Sequence, residues 1–232
     1  MFPLTLSAVT VRRKGKRLLG PIDLILNGSG VTTIIGPNGS GKTTLLRVMH
    51  GIERISGGSA KWAIPDADAR AAQSYVFQTP IMLRRSVADN LRYPLQLRRA
   101  TKPDQERDIA YWGDKAGLSA QLHMPANRLS GGERQKLALA RALITKPALI
   151  FLDEPCASLD GHATREIETL LHDTAQSGTR VVLATHDMGQ AKRLGTDAIF
   201  LVAGEVEEAG NDILSDPQTP ELAAFLRGDI VT

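Results

Sequence analysis

Residues 31–44 read Val31-Thr32-Thr33-Ile34-Ile35-Gly36-Pro37-Asn38-Gly39-Ser40-Gly41-Lys42-Thr43-Thr44. The first five are all β-branched, as expected of a strand covered on both faces. Gly36 to Thr43 then match G-x-x-x-x-G-K-[S/T], immediately after a strand and at the mouth of a helix, the setting this pattern requires. Glycines there let backbone N–H groups turn inward around a phosphate. The helix N-terminus adds unpaired donors and a positive dipole end. Lys42 is placed to meet the β- and γ-phosphates, and the Thr43 hydroxyl to hold Mg²⁺. The helix is expected over 42–50, with Gly51 as its C-terminal cap.

Working outward, alternating apolar residues at Leu4, Leu6 and Ala8, then Ile22, Leu24 and Leu26, predict two half-buried strands. The basic cluster Arg12, Arg13, Lys14, Lys16 and Arg17 is the solvated loop between them. Further strands are expected at 74–77, 148–152, 181–184 and 198–202, with helical patterns between most of them, notably 165–176. Strands alternating with helices imply right-handed crossovers and a mostly parallel sheet, an α/β fold. Residues 79–145 differ, being helical and loop-rich with no convincing strand. They read as an insertion, with the charged stretch 98–107 as an exposed connection. After about Gly210 the tail is short, with Pro217 and Pro220 framing a last small helix.

Composition narrows the function classes. The 232 residues can bury a full core, and 42% hydrophobic with 23% charged content is ordinary for a globular protein. The lone cysteine, Cys156, excludes an internal disulfide framework and suits a reducing compartment. Low aromatic content argues against an aromatic-lined single-strand nucleic-acid groove. No uninterrupted apolar run reaches the ~18 residues of a membrane span, and the N-terminus lacks a secretory layout. Work at a membrane would therefore be done from the surface of a partner.

A second site lies at Leu149-Ile150-Phe151-Leu152-Asp153-Glu154, an apolar strand ending in two acids. In open parallel sheets, ligands bind at the carboxyl ends of strands. Asp153 is placed to hold Mg²⁺, and Glu154 to polarise an attacking water as general base. His186 follows the strand at 181–184, and Gln78 follows the one at 74–77. Singly, each is an ordinary polar residue where a strand meets a loop. Together with the phosphate loop they bring several strand ends to one sheet edge.

Leu129-Ser130-Gly131-Gly132-Glu133 precedes a Leu- and Ala-rich helix that stops before Pro147. Ser130 and Glu133 make a capping box, but a cap needs no two glycines, which weaken the first turn. Here the chain resembles the ATP-binding-cassette family over nearly its whole length. The resemblance rests on the phosphate loop Gly36 to Thr44, Gln78 as the Q-loop glutamine and Leu129 to Glu133 as the signature. It also rests on the Asp153/Glu154 pair, the D-loop Ser158-Leu159-Asp160 and His186 as the switch histidine. It implies a P-loop NTPase fold with an N-terminal antiparallel β subdomain and an inserted helical subdomain. Core residues would be 1–78 and 146–210, the helical part 79–145 and the tail 211–232. It further implies catalytic roles for Glu154, His186 and Gln78, and Mg²⁺ on Thr43, Gln78 and Asp153. Two copies would pack head to tail around two ATP molecules, with Ser130, Gly131, Gly132 and Asp160 of one reaching the nucleotide of the other. One departure stands out: the family stacks adenine on an N-terminal aromatic, yet none lies between Phe2 and the phosphate loop. Arg13 falls nearest that place, and a guanidinium can stack on a base; ATP versus GTP stays open.

Only about 90 residues separate Lys42 from Ser130, leaving no room for the coiled-coil insertion of chromosome-maintenance relatives. A single cassette without fused spans suits an importer. The segment Phe77 to Asn90 looks like that of oxyanion importers, particularly tungstate uptake ATPases. The resemblance implies membrane permease partners, a solute-binding protein outside, no nucleic acid, and residence at the cytoplasmic face of the inner membrane. Arg84 and Arg85, just after the Q-loop, are candidates to face the permease. The alternatives are an exporter cassette, or a non-transport ATPase acting on nucleic acid or ribosomes.

Overall fold

The computed structural model describes residues 1–157 and 159–229; Ser158 of the D-loop lies outside them. The chain starts as a hairpin, β1 (Leu4–Arg13) and β2 (Lys16–Leu26), turned at Lys14-Gly15. Both turn residues have positive φ, the requirement of a tight two-residue hairpin. The basic cluster is therefore not a loop between short strands. Arg12, Arg13, Lys16 and Arg17 are themselves paired, at the exposed tip of two longer strands. β4 (Gly57–Trp62) joins the far side of β1, completing an antiparallel sheet in the order β2-β1-β4.

The second sheet has the order β5-β6-β7-β3-β8-β9. β3 (Val31–Ile35), β5 (Gln73–Val76), β6 (Leu149–Asp153), β7 (Arg180–Ala184) and β8 (Asp197–Val202) pair in parallel. β9 (Glu205–Gly210) adds antiparallel to β8. Strands β3, β6 and β7 are buried at every position, the both-faces burial expected of central parallel strands. Helix α1 (Lys42–His50) follows β3 and ends at Gly51, whose φ of 87° is the left-handed cap. Its Leu45, Leu46, Val48 and Met49 pack with β1, β2 and the inner faces of β6 and β7. On the other face α6 (Gly161–Gln176) packs Ile167, Leu170 and Leu171 against Ile150, Leu152, Val181 and Leu183. Two short helices, α2 (Asp66–Ala71) and α7 (Met188–Leu194), complete the connections.

Between β5 and β6 lie α3 (Val87–Leu97), α4 (Lys102–Lys115) and α5 (Gly131–Leu143), with a core of their own. The exposed connection expected at 98–107 is a correction: the chain is irregular only to Thr101, where α4 begins. The Thr101 hydroxyl accepts from Asp104 N, and Pro103 sits in the first turn, so the charged residues are helix start rather than linker. The tail is corrected too. Its helix, α8 (Pro220–Arg227), starts at Pro220 instead of lying between the two prolines, and buries Leu222 with Ile213 and Phe200.

Candidate functional site

The phosphate loop bridges β3 and α1, and its backbone is committed to one shape. Gly36, Gly39 and Gly41 have φ of 146°, 80° and 105°, where other residues are strained. A Cβ on Gly36 would fall on the Leu201 carbonyl oxygen, and one on Gly41 within 3.2 Å of Leu19 Cδ1. Gly41 caps α1 with no side-chain hydrogen bond, and no acid stands in the first turn. The leading N–H groups of the helix thus have no side-chain cap and no acid from the helix's own first turn beside them, which suits a phosphate. Ser40 is buried, and its Oγ has no hydrogen-bond partner among the described residues. Lys42 Nζ donates to the Gly36 and Pro37 carbonyls at 2.8 and 2.9 Å, so it arches back over the loop. Burial lowers its pKa, while the charges of Glu154 and Asp153 oppose that shift.

The carboxylates emerge beside this loop because β6 lies two strands from β3, with β7 between them. The Thr43 hydroxyl donates to Asp153 Oδ1 at 2.8 Å. Burial raises the Asp153 pKa; hydrogen bonds from Thr43 and Tyr75 and the Arg47 charge counter it. Glu154 takes a left-handed backbone, φ 47°, with its N–H donating to Ala184 O at 3.0 Å. This turn lets adjacent residues serve different neighbours, Asp153 the loop and Glu154 the flanking strand ends. Gln78 Nε2 donates to Glu154 Oε2 at 3.1 Å, and His186 Nδ1 stands 3.2 Å from the same oxygen. Residues following β5, β6 and β7 thereby meet at one carboxylate. The Thr43 hydroxyl and Asp153 carboxylate form a pair of hard oxygen donors. Among the described residues no group of three or more His, Cys, Asp or Glu could hold a metal alone. That incomplete set fits Mg²⁺, which binds through one or two protein oxygens plus substrate phosphates and water.

Ser130 caps α5 in a closed capping box: its Oγ accepts from Glu133 N at 3.3 Å, and Glu133 Oε2 accepts from Ser130 N at 2.8 Å. Gly132 approaches α6, where an added Cβ would come within 3.2 Å of Ala163 Cβ, whereas one on Gly131 meets nothing within 4 Å among the described residues. Asp160 caps α6, accepting from Ala163 N at 2.8 Å. Among the described residues, no hydrogen bond or ion pair joins Ser130–Gly132 or Asp160 to the phosphate loop. The chain therefore carries two separate glycine-rich helix entrances.

A family model described as ABC transporter matches residues 19–157, which include the phosphate loop, the signature and the acid pair. The chain belongs to the ABC transporter family. It is 36% identical over 208 residues to the tungstate uptake system ATP-binding protein TupC of Peptoclostridium acidaminophilum, covering 89% of this chain and 97% of that protein. It is 34% identical to the glutamine transport ATP-binding protein GlnQ of Escherichia coli, covering 91% and 93%. Among solved structures it resembles a dimeric ATP-binding cassette in a post-hydrolysis state bound to ADP and Pi. That match has a TM-score of 0.79 and 26% identity, covering 89% of this chain and 97% of that one. This protein is thus an ABC ATPase that binds and hydrolyses ATP on a P-loop α/β fold.

Two features of this ABC ATPase stand apart from the sequence expectations. Arg13 lies at the hairpin tip with its guanidinium Nη2 3.1 Å from both Glu53 carboxylate oxygens, leaving the side chain 60% exposed. Tyr75, absent from the expected site, donates its hydroxyl to Asp153 Oδ2 at 3.3 Å. A signal for it existed in the strand pairing: Tyr75 faces Phe151, two residues before Asp153. Cys156 is half-buried, and burial pushes its thiol up to about 11. A cavity of about 750 Å³ beside Trp112, Tyr111, Leu143 and Leu170 shares no residue with the nucleotide site.

Proposed function

We propose that this ABC ATPase powers an importer, with Glu154 as general base for ATP hydrolysis. The observation that carries this is the shared contact of Gln78 and His186 with one Glu154 oxygen, beside the Thr43–Asp153 pair. Glu154 accepts a proton from water, Gln78 and His186 fix the direction of its carboxylate, and Lys42 leaves its loop carbonyls for the β- and γ-phosphates. Gly36 to Thr44 enclose the phosphates with backbone N–H groups. Thr43, Asp153 and Gln78 hold Mg²⁺, which when bound neutralises phosphate charge. Arg13 lies beside the base, released from Glu53 or stacked while paired to it.

In this reading two copies associate, and Ser130, Gly131, Gly132 and Asp160 of one complete the phosphate site of the other. The open space at Gly131 supports this, since nothing among the described residues needs a glycine there. Residues 1–78 and 146–210 act as the nucleotide core, 79–145 as the helical unit and 211–232 as the tail. Permease subunits dock after Gln78, where Phe77 and Ile81 are exposed beside a groove of about 220 Å³ and Arg84 and Arg85 face solvent. The protein works at the cytoplasmic face of the inner membrane with a solute-binding protein outside. An oxyanion such as tungstate is the cargo, supported by the similarity to the tungstate uptake protein.

Glu154→Gln tests the chemistry. It should keep ATP affinity within about twofold while turnover falls by about a hundred- to ten-thousandfold, since a positioned base contributes roughly 10²–10⁴. Substantial residual hydrolysis would reject Glu154 as the base. Co-purification with the permease and stimulation by tungstate in reconstituted vesicles would test the cargo; stimulation by another solute alone would reject it.

A further inference from the structure

Tyr75 sits where its hydroxyl has a task that packing does not demand. Its ring lies 4.6 Å from the Phe77 ring, 5.5 Å edge-on from His50 and 6.4 Å in a stacked arrangement from Phe151. A phenylalanine would satisfy that cage equally. The hydroxyl instead donates to Asp153 Oδ2 at 3.3 Å, while Thr43 holds Oδ1 at 2.8 Å. The two carboxylate oxygens are thus gripped by different elements, α1 on one and β5 on the other.

We propose that Tyr75 is a positioning residue for Asp153, fixing the carboxylate plane from the β5 side so that Oδ1 stays with Thr43 at the phosphate loop. This rests on the reading that Asp153 and Thr43 hold Mg²⁺. Carboxylates that ligate metals are commonly oriented by a second hydrogen bond, and losing it costs about 10- to 100-fold in metal affinity. The backbone supports a fixed geometry. β5 and β6 run in parallel register from Gln73↔Leu149 to Val76↔Leu152, so the Tyr75 ring is held beside the strand that carries Asp153.

The test is calorimetric titration of the full chain with a non-hydrolysable ATP analogue, in Mg²⁺ and in EDTA, for wild type, Tyr75→Phe and Asp153→Asn. Tyr75→Phe should keep the wild-type melting temperature and EDTA affinity while the gain in affinity given by Mg²⁺ drops about tenfold. Asp153→Asn should remove that gain. If Tyr75→Phe retains the full gain while Asp153→Asn loses it, the role of Tyr75 is overturned and the reading of Asp153 survives. If neither variant changes the gain, both fall. A Tyr75→Phe protein that melts lower and weakens equally in EDTA would show a purely structural role, which also overturns the proposal.

Discussion

The phosphate loop and the Ser130-Gly131-Gly132 segment are both glycine-rich and both lead into a helix, but their glycines answer to different constraints. In the loop the chain itself explains them: positive φ at Gly36, Gly39 and Gly41, and contacts with Leu201 and Leu19 that exclude a side chain. The helix it opens is left without a side-chain cap. At the second segment the capping box is closed by Ser130 and Glu133, and Gly132 is crowded by Ala163, yet Gly131 faces open space among the described residues. The first site is built within one chain. The second has a glycine, Gly131, that no contact among the described residues demands, which leaves room for the second copy proposed above.

Lys42→Ala attacks the self-contained side of this comparison most severely. Its ammonium is the only side-chain cation that bonds the loop carbonyls among the described residues, and losing a charged hydrogen-bonding group should weaken ATP binding about 10- to 100-fold. Undiminished affinity by calorimetry would remove the loop from the account. Next come paired glycine substitutions. Gly36→Ala should cost about 3 kcal/mol from overpacking and strain, lowering the melting temperature by about 6–12 °C for a chain of this size. Gly131→Ala should leave melting unchanged or raise it slightly, since alanine favours helix, while reducing ATP-driven association. Equal melting losses in the two variants would erase the distinction between the sites.

The smallest expected effect concerns the support beneath the loop. Burial pushes His50, at the end of α1, down to about 4 from 6.5. The unfolded chain then takes up this proton more readily than the folded one. The contribution of His50 to stability is whole above about pH 6.5, shrinks as pH falls, and is exhausted below about pH 4. Urea titrations across that range should show a shallower acid-side loss for His50→Gln than for the parent. Identical slopes would mean that the folded and unfolded states bind this proton alike.

Local chemistry made the centre of the fold readable. Five β-branched residues gave β3, and Gly51 marked the end of α1. Where local signals were weak or contradictory, the reading failed. β4 is Gly57-Gly58-Ser59-Ala60-Lys61-Trp62, lacking apolar alternation, and Gly58 is needed because a side chain would strike the Ser7 and Ala8 carbonyls. β9 is an edge strand carrying Glu205, Glu207 and Glu208, so its pattern reads as polar loop. The start of α4 was legible in Thr101-Lys102-Pro103-Asp104, but its charge density suggested solvent rather than a cap. In the site, strand ends placed Gln78, Asp153, Glu154 and His186 together, because a parallel sheet order brings them to one edge. The Tyr75 contact was not readable locally. It depends on the register between β5 and β6, which the tertiary pairing sets.

Light scattering of the Glu154→Gln protein, with and without Mg²⁺ and ATP, tests the composite site most directly. The protein should be a monomer without nucleotide and a dimer with Mg-ATP, the dimer being lost in Gly131→Glu. A protein that stays monomeric under saturating Mg-ATP, or a dimer indifferent to Gly131, would contradict it.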